Sequence, residues 1–295
     1  MAKPILFDPV ESPYLVDDHF KIKDAPNDPP KDAPDKDANK EALEANVKKL
    51  CKLQEELYAD HRYAILLIFQ AMDAGGKDGT IRAVMSGVNP QGCQVTAFKQ
   101  PTHLEIDHDF LWRVQLALPE RGRIGILNRS HYEEVLVVRV HPEILDGQRL
   151  PRRPKELKDL WDERYESIIE AERHWARNGM VILKFFLNVS QKEQHERLLE
   201  RIKDADHNWK FQMGDFKESK HWDEYMDAYQ DALRATSKPW APWYAIPADN
   251  KPYMRRVVSE IIVGTVKQLD LRYPKVDKEQ KAEMERVRKV LEKEG

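Results

Sequence analysis

"FQAMDAGGKDGTIRA", residues 69–83, decides how this chain is read. An unbroken apolar run, "YAILLIFQ" at residues 63–70, leads straight into it. A run without alternation suits a strand buried on both faces, as in a parallel sheet. Gly75 and Gly76 then precede Lys77 at what reads as the start of a helix. Strand, glycine turn and helix N-terminus form a cradle of backbone N–H groups for phosphate, and a lysine there adds a mobile cation. The strict phosphate-loop pattern is G-x-x-x-x-G-K-[ST]. Here Ala71 stands at its first position and Asp78 at its last, with Asp73 inside the loop. A carboxylate beside phosphate is costly unless a divalent cation lies between them, and Mg²⁺ takes oxygen ligands from carboxylates and phosphates together. Asp73 is therefore expected to face Mg²⁺ carried by phosphate. The plain alternative is a solvated turn, with Asp78 near the N-cap of the helix.

Outward from this loop, "CQVTAF", "RIGILN", "MVILKFFL" and "WYAIP" are further short runs of strand character. Helical spacing covers Asn39 to Asp60, Glu105 to Leu118, Lys155 to Asn178, Gln191 to Lys203, Trp222 to Thr236 and Tyr253 to Leu269. Strands alternating with helices imply right-handed βαβ units and an α/β fold with a mostly parallel, doubly wound sheet. Ligands of such sheets bind beyond the carboxyl ends of the strands. The Pro- and Asp-rich stretch around Asp24 to Asp37 has almost nothing to bury and reads as an extended arm. Residues 1–38 are taken as that arm, 39–273 as the main domain and 274–295 as a charged helical tail.

The composition bounds the function. The 295 residues carry a formal net charge of −3, so a general nucleic-acid or membrane binder is excluded by charge. Any polyanion must meet a local cluster of Lys and Arg. Lys77, Arg82, Lys99, Arg113, Arg121, Arg123, Arg129, Arg139, Arg152 and Arg153 are the candidates, with Arg82, Arg129 and Arg139 expected to point inward. Cys51 and Cys93 fit no metal or redox motif and read as residues of a reducing compartment. His103, His108 and His131 fit no zinc spacing. Neither a secretory leader nor an apolar run long enough to span a bilayer is legible, so a soluble cytoplasmic protein is expected.

A phosphate-loop kinase normally places an acid at the end of a second apolar strand, to complete its metal site. "RIGILN" ends instead on Asn128, with Arg129 next and Glu133 and Glu134 five and six residues on. A buried Asn capping the next helix, beside a solvated Glu pair, is the alternative. Further along, "ERIKDADHNWKFQMGDFKE" is charge-rich with an embedded Trp-Lys, as in a loop that closes over phosphates and excludes water. On the residues alone an ordinary solvated helix end is the favoured reading there.

"QAMDAGGKDGTIR", "NRSHYEEVLVVRVHPE", "ILKFFL", "WKFQMGD" and "APWYAIPADNK", in that order, resemble the second family of polyphosphate kinases from about Ala42 to Tyr273. The resemblance implies a P-loop kinase-like three-layer α/β/α sandwich with a helical lid over about residues 201–220. It implies Mg²⁺-dependent transfer of the terminal phosphoryl group of inorganic polyphosphate to a nucleotide, in either direction, with Mn²⁺ as a substitute metal. Asn128 with Glu133 matches the branch usually called class III, which uses both AMP and ADP, with other nucleotides as further acceptors.

The implied catalytic set is Asp73, Lys77, Arg129, Glu133, Arg201 and Lys210, with Asp73, Asn128 and Glu133 toward the metal. Gly75, Gly76, Asp78, Gly79, Thr80, Arg82, Asn128, Arg139 and Asp215 are implied to bind phosphate or nucleotide. The family's lid prolines are missing here. Homodimers or homotetramers are implied. Two other readings stand beside this one: an ATP-dependent nucleotide kinase of thymidylate-kinase type, and a non-catalytic polyanion-binding module, which Asn128 alone favours.

Overall fold

The computed structural model describes residues 6–206 and 208–294, without the side chains of residues 210 and 294. Helix α1 (Lys36–Asp60) starts three residues before its apolar spacing predicts, because Asp35 caps it by accepting from the N–H groups of Asp37 and Ala38. Strand β1 (Ala64–Gln70) is buried at every residue. After the glycine turn come α2 (Lys77–Val84) and β2 (Cys93–Ala97). The helix expected over Glu105 to Leu118 is broken into α3 (His103–Ile106) and α4 (Trp112–Gln115). Asp109 accounts for the break: its carboxylate accepts from Leu111 N at 2.9 Å, a local bond that competes with helix.

Strand β3 (Ile124–Asn128) follows, then α5 (Val137–Val140), α6 (Ile144–Gly147) and α7 (Leu157–Arg177). Strand β4 (Met180–Asn188) leads to α8 (Gln191–Lys203), α9 (Met213–Glu218) and α10 (Trp222–Thr236). Strand β5 (Trp243–Pro247), α11 (Lys251–Lys267) and α12 (Lys278–Glu294) complete the chain.

The five strands are parallel, in the order β2-β3-β1-β4-β5. Chain progress from β1 runs to one side of the sheet, and the β3-to-β4 connection crosses back to the other. Right-handed crossovers therefore put α2 and α7 on opposite faces. Helices α1 and α2 pack with α11, and α7 packs with α10. The result is a three-layer α/β/α sandwich with β1, β3 and β4 in its core.

The N-terminal arm is extended but not free. Leu15 bridges Tyr244 of β5 in antiparallel sense, Val16 N donates to Trp243 O at 2.9 Å, and Phe7, Tyr14 and Val16 are buried. It covers a sheet edge that would otherwise offer unpaired backbone groups. Among the described residues no helix is long and apolar enough to cross a membrane.

Candidate active site

Strand β1 lies between β3 and β4, so the chain leaves its carboxyl end at the point where the connections diverge. That is where open α/β sheets bind ligands. Phe69 and Asn128 are register partners at the ends of β1 and β3, which sets the two following loops side by side. A cleft of about 600 Å³ opens there, lined by residues 73–79, Asn128, Arg129 and the segment after β4.

The loop is shaped by two glycines. A Cβ on Gly75 would lie 2.6 Å from Ala71 Cβ and 2.8 Å from Met72 O, so no side chain fits. Gly76 is the N-cap of α2 at φ +96°, a left-handed conformation suited to glycine. Beyond it the first-turn N–H groups of α2 have no intrahelical acceptor and face the cleft end of the helix. Lys77 folds back over the loop, its Nζ donating to Ala71 O at 2.7 Å. Burial pushes its ammonium below the ordinary value, with the Asp73 carboxylate opposing.

Four charged groups from two loops converge. Arg129 Nη2 donates to Asp73 Oδ1 at 2.7 Å, across 56 residues of chain. Arg129 holds φ +65°, a strained conformation for a side chain of its size. Burial works against its guanidinium, but the Glu133 and Asp73 carboxylates outweigh it and hold the group above its ordinary value. Burial pushes the Glu133 carboxyl upward, opposed by Arg129 and Lys77. Glu134 points elsewhere: Arg164 and Gln148 hold it in the interior at 3.2 and 2.7 Å. Of the Glu pair, then, Glu133 is the one that acts on Lys77 and Arg129, from behind the residues that line the cleft. Asn128 Nδ2 donates to Asp78 Oδ1 at 2.5 Å, which joins the end of β3 to the first turn of α2.

The segment from α8 to α9 forms one wall. Arg201 Nη1 donates to Asp215 Oδ2 at 2.9 Å, and the Trp209 ring is 77% exposed at the cleft rim. Burial, then the charge of Asp73, pushes the Asp215 carboxyl up against the opposing Arg201. The side chain of Lys210 lies outside the described residues.

Three expected binders stand apart from the cleft. Thr80 is fully buried and its hydroxyl donates to Gly76 O at 2.9 Å, because a threonine within a helix can satisfy itself on the preceding turn. Arg82 is exposed, one turn along α2 from the loop. Arg139 is bound by Asp231 at 2.6 Å and Tyr165 at 3.0 Å, in a separate hollow beside α7 and α10. Of the other basic candidates, Arg113 donates to Lys99 O, and Arg152 and Arg153 pair with Glu163 and Asp146. Arg121 and Arg123 meet Asn178 O and Glu120. None of them lines the cleft.

Sequence reasoning missed Arg197, which is 5% exposed on α8. It donates to Ala74 O at 3.2 Å, Ala248 O at 2.6 Å and Asp249 O at 3.2 Å, tying the glycine loop to the loop after β5. Gln194 Nε2 adds a bond to Asp73 O at 3.1 Å. Only their common face on α8, three residues apart, was readable as a signal. Lys251, at the start of α11, also lines the cleft.

Beneath the 128–134 turn lies a sealed polar network. Lys184 of β4 donates to Glu172 Oε2 at 2.5 Å, Tyr132 OH at 2.8 Å and Thr236 O at 2.9 Å. Tyr132 OH donates to Glu172 Oε1 at 2.9 Å, and His131 Nε2 lies 3.5 Å from the same oxygen. All are fully buried. Burial, opposed by Glu172, brings the Lys184 ammonium down to about 8. The network grips residues 131 and 132, between Arg129 and Glu133.

Among the described residues no cluster of three or more His, Cys, Asp or Glu forms a ready metal cage. Mg²⁺ commonly binds through one or two carboxylates and completes its shell with substrate phosphates and water. Asp73 and Glu133, with the amide of Asn128, fit a metal that arrives with phosphate. The half-buried Glu133 carboxyl, pushed upward by desolvation, is a group that a cation would help to ionise.

The model of the family described as Polyphosphate kinase 2 matches residues 33–274. The ADP-polyphosphate phosphotransferase of Rhodopseudomonas palustris is 51% identical over 251 residues, 85% of this chain and 87% of that protein. The AMP/ADP-polyphosphate phosphotransferase of Meiothermus ruber is 47% identical over 239 residues, 81% and 85% of the two chains. The crystal structure of Polyphosphate Kinase 2 from Arthrobacter aurescens TC1 superposes with a TM-score of 0.87, at 36% identity, covering 97% of this chain and 98% of that one.

Proposed function

The chain belongs to the polyphosphate kinase 2 family and is a phosphotransferase, and on that premise we propose that it moves the terminal phosphoryl group of inorganic polyphosphate onto AMP and ADP, reversibly. The observation that carries the proposal is the convergence of Lys77, Arg129, Asp73 and Glu133 at the carboxyl ends of β1 and β3. Phosphoryl transfer needs little covalent chemistry from a protein; it needs charge neutralised and reactants aligned.

Lys77 and the first-turn N–H groups of α2 would hold the donor phosphates. Arg129 would neutralise the group in flight, and its fixed contact with Asp73 keeps the guanidinium aimed. Arg201 and Lys210 would act from the lid, with Trp209 excluding water that would otherwise hydrolyse the donor. Asp73, Glu133 and Asn128 would hold Mg²⁺, which when bound neutralises phosphate charge and polarises the transferred group. Mn²⁺ would serve in its place. Asn128 in place of an acid leaves one fewer negative charge beside the acceptor, which supports use of AMP as well as ADP.

The experiment is turnover of the purified chain with long-chain polyphosphate and Mg²⁺, with AMP and ADP as separate acceptors, products resolved by ion exchange. ADP formed from AMP and ATP formed from ADP are expected. ATP from ADP with none of either product from AMP would restrict the enzyme to diphosphates. No transfer from polyphosphate to either acceptor would overturn the proposal.

A further inference from the structure

Resting on the reading of this cleft as a polyphosphate site, we propose that Arg255 and Arg82 form a subsite for donor phosphates beyond those held by the glycine loop. Polyphosphate then leaves the cleft between α2 and α11.

The two helices face each other there. Gly79 and Arg82 are three apart on α2, and Lys251 and Arg255 are four apart on α11, so each pair shares a helix face. Gly79 and Lys251 line the cleft itself. A Cβ on Gly79 would sit 3.1 Å from Arg255 Nη2, so the guanidinium is laid close against the first turn of α2. The cationic series therefore continues outward from Lys77, past Lys251 and Arg255, to the exposed Arg82.

The outer members of this series, Arg255 and Arg82, lack counter-ions among the described residues. Among the described residues Arg255 and Arg82 make no hydrogen bond and no ion pair, whereas the neighbouring Arg256 is held by Glu260 at 2.7 Å and Asn39 at 2.6 Å. The Nε of Arg255 is sealed from solvent without a partner. Burial pushes its guanidinium below the ordinary value, and the charges of Arg82 and Arg197 push it further. A buried donor without an acceptor, beside like charges, is unfavourable in the free protein and is relieved by an anion.

Both candidate ligands carry phosphate: the donor chain, and the nucleotide's own phosphates. The donor is favoured because the track passes out of the cleft to an exposed arginine. A chain of many phosphates can follow it, whereas a nucleotide has only a few.

The test uses Arg255→Gln, Arg82→Gln and the double variant in the full chain, with Arg255→Lys as the charge-retaining control. Thermal unfolding checks the fold of each. Initial rates are taken with long-chain polyphosphate and with tripolyphosphate as donors. Each Gln variant is expected to raise KM for the long chain roughly tenfold, as for loss of a charged hydrogen bond, with a much smaller change for tripolyphosphate and for the nucleotide. Direct binding of long-chain polyphosphate should lose about one unit of log–log salt slope per arginine removed. Equal changes for both donors, a change confined to nucleotide KM, or an unchanged salt slope would overturn the subsite. A wild type that binds long-chain polyphosphate but transfers nothing would count against the proposed reaction, while the binding slope still decides the subsite.

Discussion

Replacing Lys184 with methionine removes the cation that, among the described residues, is hydrogen-bonded to the buried Glu172. Both side chains are fully buried, and the ammonium has three acceptors within 2.9 Å. Breaking a buried pair by deleting one partner costs about 3–5 kcal/mol, because the other charge is left stranded. Against a typical domain stability of about 5–15 kcal/mol, this is a large loss. In Lys184→Met/Glu172→Leu the stranded charge is gone, and replacing a buried pair by apolar residues is often neutral or better.

Tyr132 OH would still lose its acceptor, at a cost of about 1–3 kcal/mol. The double variant is therefore expected to lie about 2 kcal/mol above Lys184→Met in stability. Urea unfolding at constant slope measures this cycle. Turnover should not recover with stability, since the network holds residues 131 and 132 between Arg129 and Glu133. Two results would refute the reasoning. If the double variant is as unstable as the summed singles, the charges are not coupled. If it regains stability with wild-type turnover, the network does not position the turn.

Lys77→Ala and Asp73→Asn are each expected to keep the fold and to lower turnover by roughly 10²–10³-fold, about 3–4 kcal/mol of transition-state stabilisation; near-normal rates in a folded variant would move the reaction centre elsewhere. Gly75→Ala should unfold at lower temperature and bind polyphosphate poorly, because its methyl would press on Ala71 Cβ and Met72 O; unchanged melting and binding would show that the loop shape is not fixed as described. Asn128→Asp replaces the Asn128–Asp78 hydrogen bond by two neighbouring carboxylates, so Mg²⁺ is expected to be held at least as well as in the wild type. It and Glu133→Gln should each change the ratio of AMP to ADP specificity constants by roughly tenfold, about 1.4 kcal/mol. Proportional losses on both acceptors would assign these residues to the shared chemistry and not to acceptor choice.

Local pattern alone determined much of this protein. The apolar run before the glycine loop had to be an interior parallel strand, and Gln191–Lys203 and Trp222–Thr236 end where their periodicity ends. Asp73 and Lys77 were legible as a candidate pair because their loop is one contiguous stretch. Only the tertiary structure decided the partners of the charged groups. Arg129 meets Asp73 across 56 residues, and Lys184 meets Tyr132 across 52, through a strand order that no local spacing encodes.

Adjacent residues part ways for the same reason. Glu133 faces Lys77 and Arg129 while Glu134 is clasped by Arg164; among the described residues Arg256 has a carboxylate while Arg255 has none. Thr80 and Arg139 turn to protein partners, Gly76 O for one and Asp231 with Tyr165 for the other, while Arg82 stays exposed one turn beyond the loop. Periodicity reports which face of a helix or strand is apolar, since burial there follows from the hydrophobic effect. It carries no information on which distant charge will stand opposite a polar side chain, and at this site that distance decides the chemistry.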